Sequence, residues 1–492
     1  MKDEAQHASA QRDPDETVQS SSAAAASAVS QRPVDDGLPM PQRLVAIGAI
    51  SFGIALLVID GSIANVALPT ISRKLGVSEG AVTNVVTVYQ LVMVMGLLPF
   101  AKLGDRIGHR TVYQIGQVVF CLASALCFFV ENFAALLMLR AVQAVGAGLA
   151  LSVSVAMLRR IYPAKSLGSG LGLNSVVVAT AAAIAPTLGG FIVADYDWRL
   201  VFVVAAPLAL VSLLLGRALP APEPQGGKAD WLGGGWSAAT VALLIGGVQV
   251  AAHAGSVLPG VALFVAGIVS AFFLVHRERE QDRPIVPVDL MAQPVIGLSV
   301  LAAVLVFCAS GAVILALPFL FEQSMGYAPD EVGLLLLPYP LTLLIVSPVA
   351  GWLSDRVAPT KLGVTGMAIA ILGLLLMAFM PAQPGVFGIS WRLTIVALGF
   401  GLFFAPNSRL LIANAPQDRT AAAGGLISTA RLFGQTTAAA LVGLLLSLGL
   451  GLGPTPMFLA AGLALVAALC SMVRFRTVRA QTVPAEAREA GV

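Results

Sequence analysis

Residues 56–71 read LLVIDGSIANVALPTI, an apolar run with a single carboxylate, Asp60, near its middle. The apolar stretch around it covers about residues 44–70, more than the ~20 residues a helix needs to cross the hydrocarbon of a bilayer. A charge at that depth costs about 2.5–3.5 kcal/mol on insertion scales and is seldom kept without a use. Three readings of Asp60 stand: a cavity-facing carboxylate that takes up and gives back a proton, a structural partner to an arginine, or a group simply exposed to an inner vestibule. Asn65 lies five residues on and flanks the same face only loosely, so it lines a cavity or bonds a neighbouring helix. The run is too long and too uniformly apolar for a barrel strand, which alternates over ~10 residues. In lipid, a helix satisfies its own backbone groups.

Thirteen more such runs follow, at about 81–103, 112–130, 133–157, 168–194, 198–217, 230–252, 257–275, 295–321, 331–353, 362–380, 389–413, 421–447 and 455–473. The fold class is therefore all-α and polytopic, with about fourteen transmembrane helices arranged six, two and six. Composition agrees: 57% of the 492 residues are hydrophobic and 11% charged, against ~25% charged in soluble domains. Mean hydropathy is +0.87. The polar segments divide the chain into a disordered tail (1–41), a six-helix unit (42–217), a linker with two helices (218–290), a second six-helix unit (291–475) and a short tail (476–492). Basic residues gather on alternate loops, among them Lys102, Arg106 and Arg110, then Arg277 and Arg279, then Arg356 and Lys361. By the positive-inside rule both termini are cytoplasmic, in an inner membrane. A net charge of +3 is too small for a nucleic-acid binder of this length.

An internal repeat supports two related units. AKLGDRIGHR at 101–110 and GWLSDRVAPTK at 351–361 each follow the second span of a unit, about 250 residues apart. Gly104, Asp105, Arg106, Gly108 and Arg110 in the first copy, and Asp355 and Arg356 in the second, are expected to latch neighbouring helices at the cytoplasmic ends. Arg140, in LMLRAVQAVGAGLA, is a second intramembrane charge with Gln143 on its own face. Arginine does not shed its proton, so Arg140 must pair or meet water. It either holds a carboxylate and tunes proton release from Asp60, or anchors to backbone carbonyls. Arg431 poses the same question in the penultimate span. Tyr89, Asn174, Asn407 and Gln435 are polar groups in apolar spans, split between cavity lining and helix–helix bonds. Glu322, near the outer end of its span, is expected to be wet. Pro186 in the small-residue fifth span, with Gly189 and Gly190 after it, suits either a bent, closely packed gate or ordinary close helix contact. No phosphate-binding loop, zinc pair or nucleophile–base arrangement is present, so no cofactor, metal or enzyme activity is expected.

These residues resemble the major facilitator superfamily, and within it the fourteen-span branch of drug:proton antiporters. Asp60-Gly61-Ser62-Ile63-Ala64-Asn65-Val66-Ala67-Leu68-Pro69 is similar to that branch's Asp-x-Thr-Val-Val-Asn-Val-Ala-Leu-Pro signature, with Ser62 for Thr. Residues 101–110 resemble the superfamily loop between spans two and three, with Ala101 for its leading glycine. Arg140, Gln143 and Gly146 match the fourth-span motif, and Ala144 replaces a glycine. Ala185-Pro186-Thr187-Leu188-Gly189-Gly190 is similar to the antiporter motif, with Ala181 and Ala185 for glycines. Tyr89 fits the second-span pattern, and Asn84 stands where tryptophan is common. The resemblance spans about residues 42–475. It implies alternating access in a monomer embedded in lipid, with protons entering to drive small amphipathic or cationic molecules out. A metabolite transporter is the alternative.

Overall fold

The computed structural model describes residues 37–163, 167–220, 230–253, 257–281, 286–416 and 419–489. The N-terminal tail to residue 36, most of the linker after the sixth span, Lys165 and Arg283 lie outside the described residues. Fourteen long helical segments follow one another, and no strand occurs among the described residues. They are α1 (Met40–Leu75), α2 (Asn84–Ile107), α3 (His109–Leu126), α4 (Phe133–Ile161), α5 (Leu167–Asp195), α6 (Leu200–Val203 with Ala206–Leu215) and α7 (Trp231–His253). After these come α8 (Val257–Arg279), α9 (Pro294–Phe319), α10 (Pro329–Leu336 with Pro338–Leu353), α11 (Pro359–Ala378), α12 (Gly385–Ala413), α13 (Thr420–Ser447) and α14 (Thr455–Glu489). Thirteen are long and apolar enough to cross a membrane. The other, α5, is 29 residues long and apolar over Thr180–Asp195. This is a multi-pass membrane protein. Side chains that water would not tolerate, such as Leu258, Phe272 and Phe387, stand exposed on its outside, where lipid covers them.

Helix ends follow local chemistry. Asn132 accepts the Ala135 N–H at 2.9 Å and caps α4. Gly76, at φ +62°, ends α1 in the left-handed conformation that glycine adopts without penalty. The sequence places the polar tail after the last span, yet α14 continues as helix to Glu489.

The packing pattern of the first six helices recurs in the last six. Among the first, α1 packs on α4, α5 and α6, α2 on α4, and α3 on α4 and α6. Among the last, α9 packs on α12, α13 and α14, α10 on α12, and α11 on α12 and α14. Glycines let the corresponding pairs close to backbone contact. A Cβ on Gly116 of α3 would lie 2.6 Å from the Gly146 carbonyl oxygen, and one on Gly366 of α11 2.7 Å from that of Gly399. Lipid supplies no hydrophobic drive between helices, so such contact and buried polar bonds hold them. The two sets meet mainly where α5 packs on α10, α2 on α13, and α1 on α9. The extra hairpin α7–α8 lies on the α2–α13 seam. Its base is stapled by Arg277, which grips Asp230 through two nitrogens at 2.8 and 2.9 Å and holds that carboxyl below the usual aspartate range.

Candidate functional site

Five of the first six helices converge on one charged cluster. Arg140 of α4 donates from Nη1 to both carboxylate oxygens of Asp60 on α1, each at 2.9 Å. The same nitrogen reaches Gln143 Oε1 at 2.9 Å, one turn along α4. Nε donates to the Val85 carbonyl of α2 at 3.3 Å. Gln143 in turn donates to Ser124 Oγ of α3 at 2.8 Å. The faces of Tyr89 (α2) and Phe202 (α6) cover the guanidinium at 4.1 and 5.0 Å, a geometry that adds cation–π attraction. The two charged side chains are 0% and 1% exposed. Burying two ions costs several kcal/mol each, and their attraction at best about offsets this. Such a pair is poor evidence of stability and better evidence of use.

Asp60 therefore points into the first bundle at Arg140, where the sequence left a cavity-facing group open. The reason is local: α1 is apolar all round, and the one fixed cation in reach is on α4. Gly61 and Asn65 share another face of α1, and Asn65 keeps a buried side-chain oxygen without a partner. The Tyr89 hydroxyl is likewise buried, close beside the Asp60 carboxylate. The side chain of Asn174 lies outside the described residues.

The two loop motifs behave differently. Asp105 pairs within its own turn, with Lys102 at 3.7 Å and His109 at 3.3 Å, while Gly104 packs on Val153 of α4. Arg110 donates to the Leu219 carbonyl at 3.4 Å, and Arg106 is exposed. Asp355 instead reaches α12, where Arg409 binds it at 2.6 Å and Ser354 Oγ at 3.0 Å. Arg356 lies over the Trp352 ring at 3.9 Å. Gly108 sits at φ +94°, a conformation that costs a side-chain-bearing residue about 1–3 kcal/mol. Gly108→Val is expected to lower thermal stability by that amount, read by a melting curve in detergent.

At the opposite face the two sets of helices meet. Pro186 and Gly190 of α5 touch α10 backbone to backbone: a Cβ on Gly190 would lie 2.5 Å from the Pro329 carbonyl oxygen, and one on Gly333 2.7 Å from that of Pro186. Gly189 faces Ile63 of α1. Arg73, at the end of α1, binds Glu322 at 3.0 Å across the same seam. The sequence predicts a wet Glu322, and the structure buries it instead. Its side chain is 2% exposed, held inward by a π-helical turn over Leu320–Ser324. Sequence reasoning missed this pair, whose partners are 249 residues apart. Glu322→Gln removes the attraction and keeps the shape. It is expected to raise labelling of the seam by an impermeant thiol reagent, from a reporter cysteine at Val66, by a few-fold, matching the 0.2–1 kcal/mol typical of a pair with one exposed partner.

In the last six helices the predicted polar residues do not form one group. Asn407 donates to the Ser299 carbonyl at 3.0 Å and accepts from Arg474 at 2.8 Å. Arg474 is buried, although the sequence places it at the cytoplasmic end of the chain's last span. Arg431 and Gln435 stand apart from these, part-buried and without a bonded partner among the described residues.

The Major Facilitator Superfamily model matches residues 50–434 and 299–491. The chain belongs to the Major Facilitator Superfamily. Superfamily relatives include an uncharacterized transporter, YebQ, of Escherichia coli, 38% identical over 91% of this chain and 98% of its own. The riboflavin transporter RibZ of Clostridioides difficile is 27% identical over 80% and 86%. The multidrug resistance protein Stp of Mycobacterium tuberculosis is 28% identical over 82% and 76%. Among solved structures, a bacterial homologue of the human lysosomal transporter Spinster, inward-facing and unoccupied, superposes with a TM-score of 0.65 at 17% identity. The match covers 89% of this chain and 98% of that one.

Proposed function

We propose that the chain is a proton-driven exporter of small amphipathic compounds, in the fourteen-span drug:proton antiporter branch. The observation that carries this is the sealed Asp60–Arg140 pair, the one carboxylate–guanidinium pair deep within the spans among the described residues. Asp60 holds Arg140 as an ion pair only while ionised. A proton arriving at Asp60 frees the guanidinium, and Tyr89, whose ring lies on Arg140, packs in one cluster with Leu432 of α13. Proton loading at Asp60 is thereby linked to the α2–α13 seam, about which the two six-helix units, 42–217 and 291–475, rock in alternating access. The protein is monomeric in the inner membrane with both termini cytoplasmic. The similarity to Stp supports the drug reading. The similarity to RibZ favours a second one, export or import of a single metabolite. In liposomes, an imposed pH gradient should drive uphill accumulation of an amphipathic dye, and a proton–potassium exchanger should abolish it. Accumulation indifferent to the exchanger contradicts proton coupling, and competition by one metabolite alone supports the second reading.

A further inference from the structure

Midway along α13 stands an arginine that no group among the described residues neutralises. Arg431 makes no ion pair and no hydrogen bond among the described residues, and it is part-buried rather than sealed. A guanidinium keeps its charge at any physiological pH. Within the membrane it costs about 2.5–3.5 kcal/mol on insertion scales unless water or an anion meets it. The other deep carboxylate, Asp60, is taken by Arg140, and Glu322 is taken by Arg73.

The surroundings of Arg431 show where its anion would come from. Helical residues three, four and seven apart share a face, so Gly424, Ser428, Arg431 and Gln435 form one stripe of α13. The other faces are packed. Leu426 and Ala430 lie against α9 and α12, Leu432 against Tyr89 and Met93 of α2, and Gly434 against the Val304 carbonyl of α9. Beside the stripe there is room: a Cβ on Gly424 would meet nothing within 4 Å, and neither would one on Gly61, midway along α1. Asn65, one turn from Gly61, and Gln90 on α2 each hold a buried side-chain oxygen without a partner. Helix α2 packs on both α1 and α13.

Building on the exporter reading, we infer that these groups line a central pocket of net positive charge, in which Arg431 binds the acidic group, a carboxylate or sulfonate, of the transported compound. The cargo is then an amphipathic acid. The amides of Asn65, Gln90 and Gln435 supply donors and acceptors for its other polar groups. A cationic compound finds no free carboxylate there and is repelled by Arg431.

The test measures binding, so it does not depend on transport. Protein in lipid nanodiscs is titrated with fluorescein, an anionic xanthene, and rhodamine 6G, a cationic one, and followed by fluorescence anisotropy against empty nanodiscs. Wild type and Arg431→Lys are expected to bind fluorescein more tightly than rhodamine 6G. Arg431→Gln should weaken fluorescein at least tenfold and leave rhodamine 6G unchanged or tighter. Gln435→Glu keeps Arg431 and places a carboxylate one turn away, within pairing reach. It should also lose fluorescein at least tenfold, and it covers the case in which Arg431→Gln does not fold. Equal fluorescein affinity in wild type and Gln435→Glu, or tighter binding of rhodamine 6G to wild type, overturns the inference. Arg431-dependent binding without proton-driven movement leaves the acid site standing and removes the exporter reading. Proton-driven export of rhodamine 6G unaffected at Arg431 does the reverse.

Discussion

Asp60→Asn is expected to bring compound-driven proton movement down to that of empty liposomes while the protein still inserts and folds. Asparagine keeps the shape of aspartate and still accepts a hydrogen bond from Arg140, but it neither ionises nor takes up a proton. The guanidinium of Arg140 would then be sealed among Tyr89, Phe202 and the Val85 carbonyl with no opposing charge. Removing one partner of a buried pair costs about 3–5 kcal/mol, and the remaining hydrogen bond keeps the loss toward the lower end. The double variant Asp60→Asn with Arg140→Gln removes both charges and should recover most of that stability, measured by thermal melting. It should not recover coupling. Restored stability with absent coupling separates a functional carboxylate from a merely structural one. Coupled transport in either variant means that the proton is carried elsewhere.

The second large effect is expected at the α5–α10 seam. Gly190→Leu directs a side chain at the Pro329 carbonyl oxygen, where even a Cβ would lie 2.5 Å away. Backbone cannot yield there as a side chain would, so the substitution forces the two helices apart. Overpacking of this kind costs about 1–3 kcal/mol. The contact joins the first six helices to the last six, whereas the packing inside each set is untouched. The cost therefore falls on the conformation in which this seam is closed. A shift of that size changes the population of the open form by about 5- to 150-fold. Val66 is fully buried on this seam among residues of the last six helices. With the four native cysteines replaced, Val66→Cys should be labelled by an impermeant maleimide faster by that factor in the Gly190→Leu background. Unchanged labelling would mean that the seam does not open as a gate.

Much of this was legible in the sequence, for a physical reason. Membrane spans announce themselves by length and apolarity, and the predicted runs meet the helices to within a few residues at most ends. Asp60 and Arg140 stood out because charges deep in a span are rare. Which way Asp60 points was not legible. Helix α1 is apolar on every side, so its periodicity carries no facing information. The Arg73–Glu322 pair was hidden because both residues read as ends of spans near water. Glu322 turns inward through a local π-helical turn that no sequence pattern marked. The last apolar run ends at about residue 473, whereas α14 continues to Glu489 and places Arg474 inside the helix. Arg409, the partner of Asp355, carries no mark in the sequence because it sits near a span end, where arginines usually meet headgroups or water.

The most direct test of the central claim follows interior pH in liposomes carrying the purified protein under an imposed proton gradient, with amphipathic acids and cationic dyes added one at a time. Wild type should move protons only when a transported compound is present, and Asp60→Asn should move none with any of them. Proton movement of the same size in both proteins would contradict a coupling role for Asp60. The absence of compound-dependent movement in wild type would contradict antiport itself.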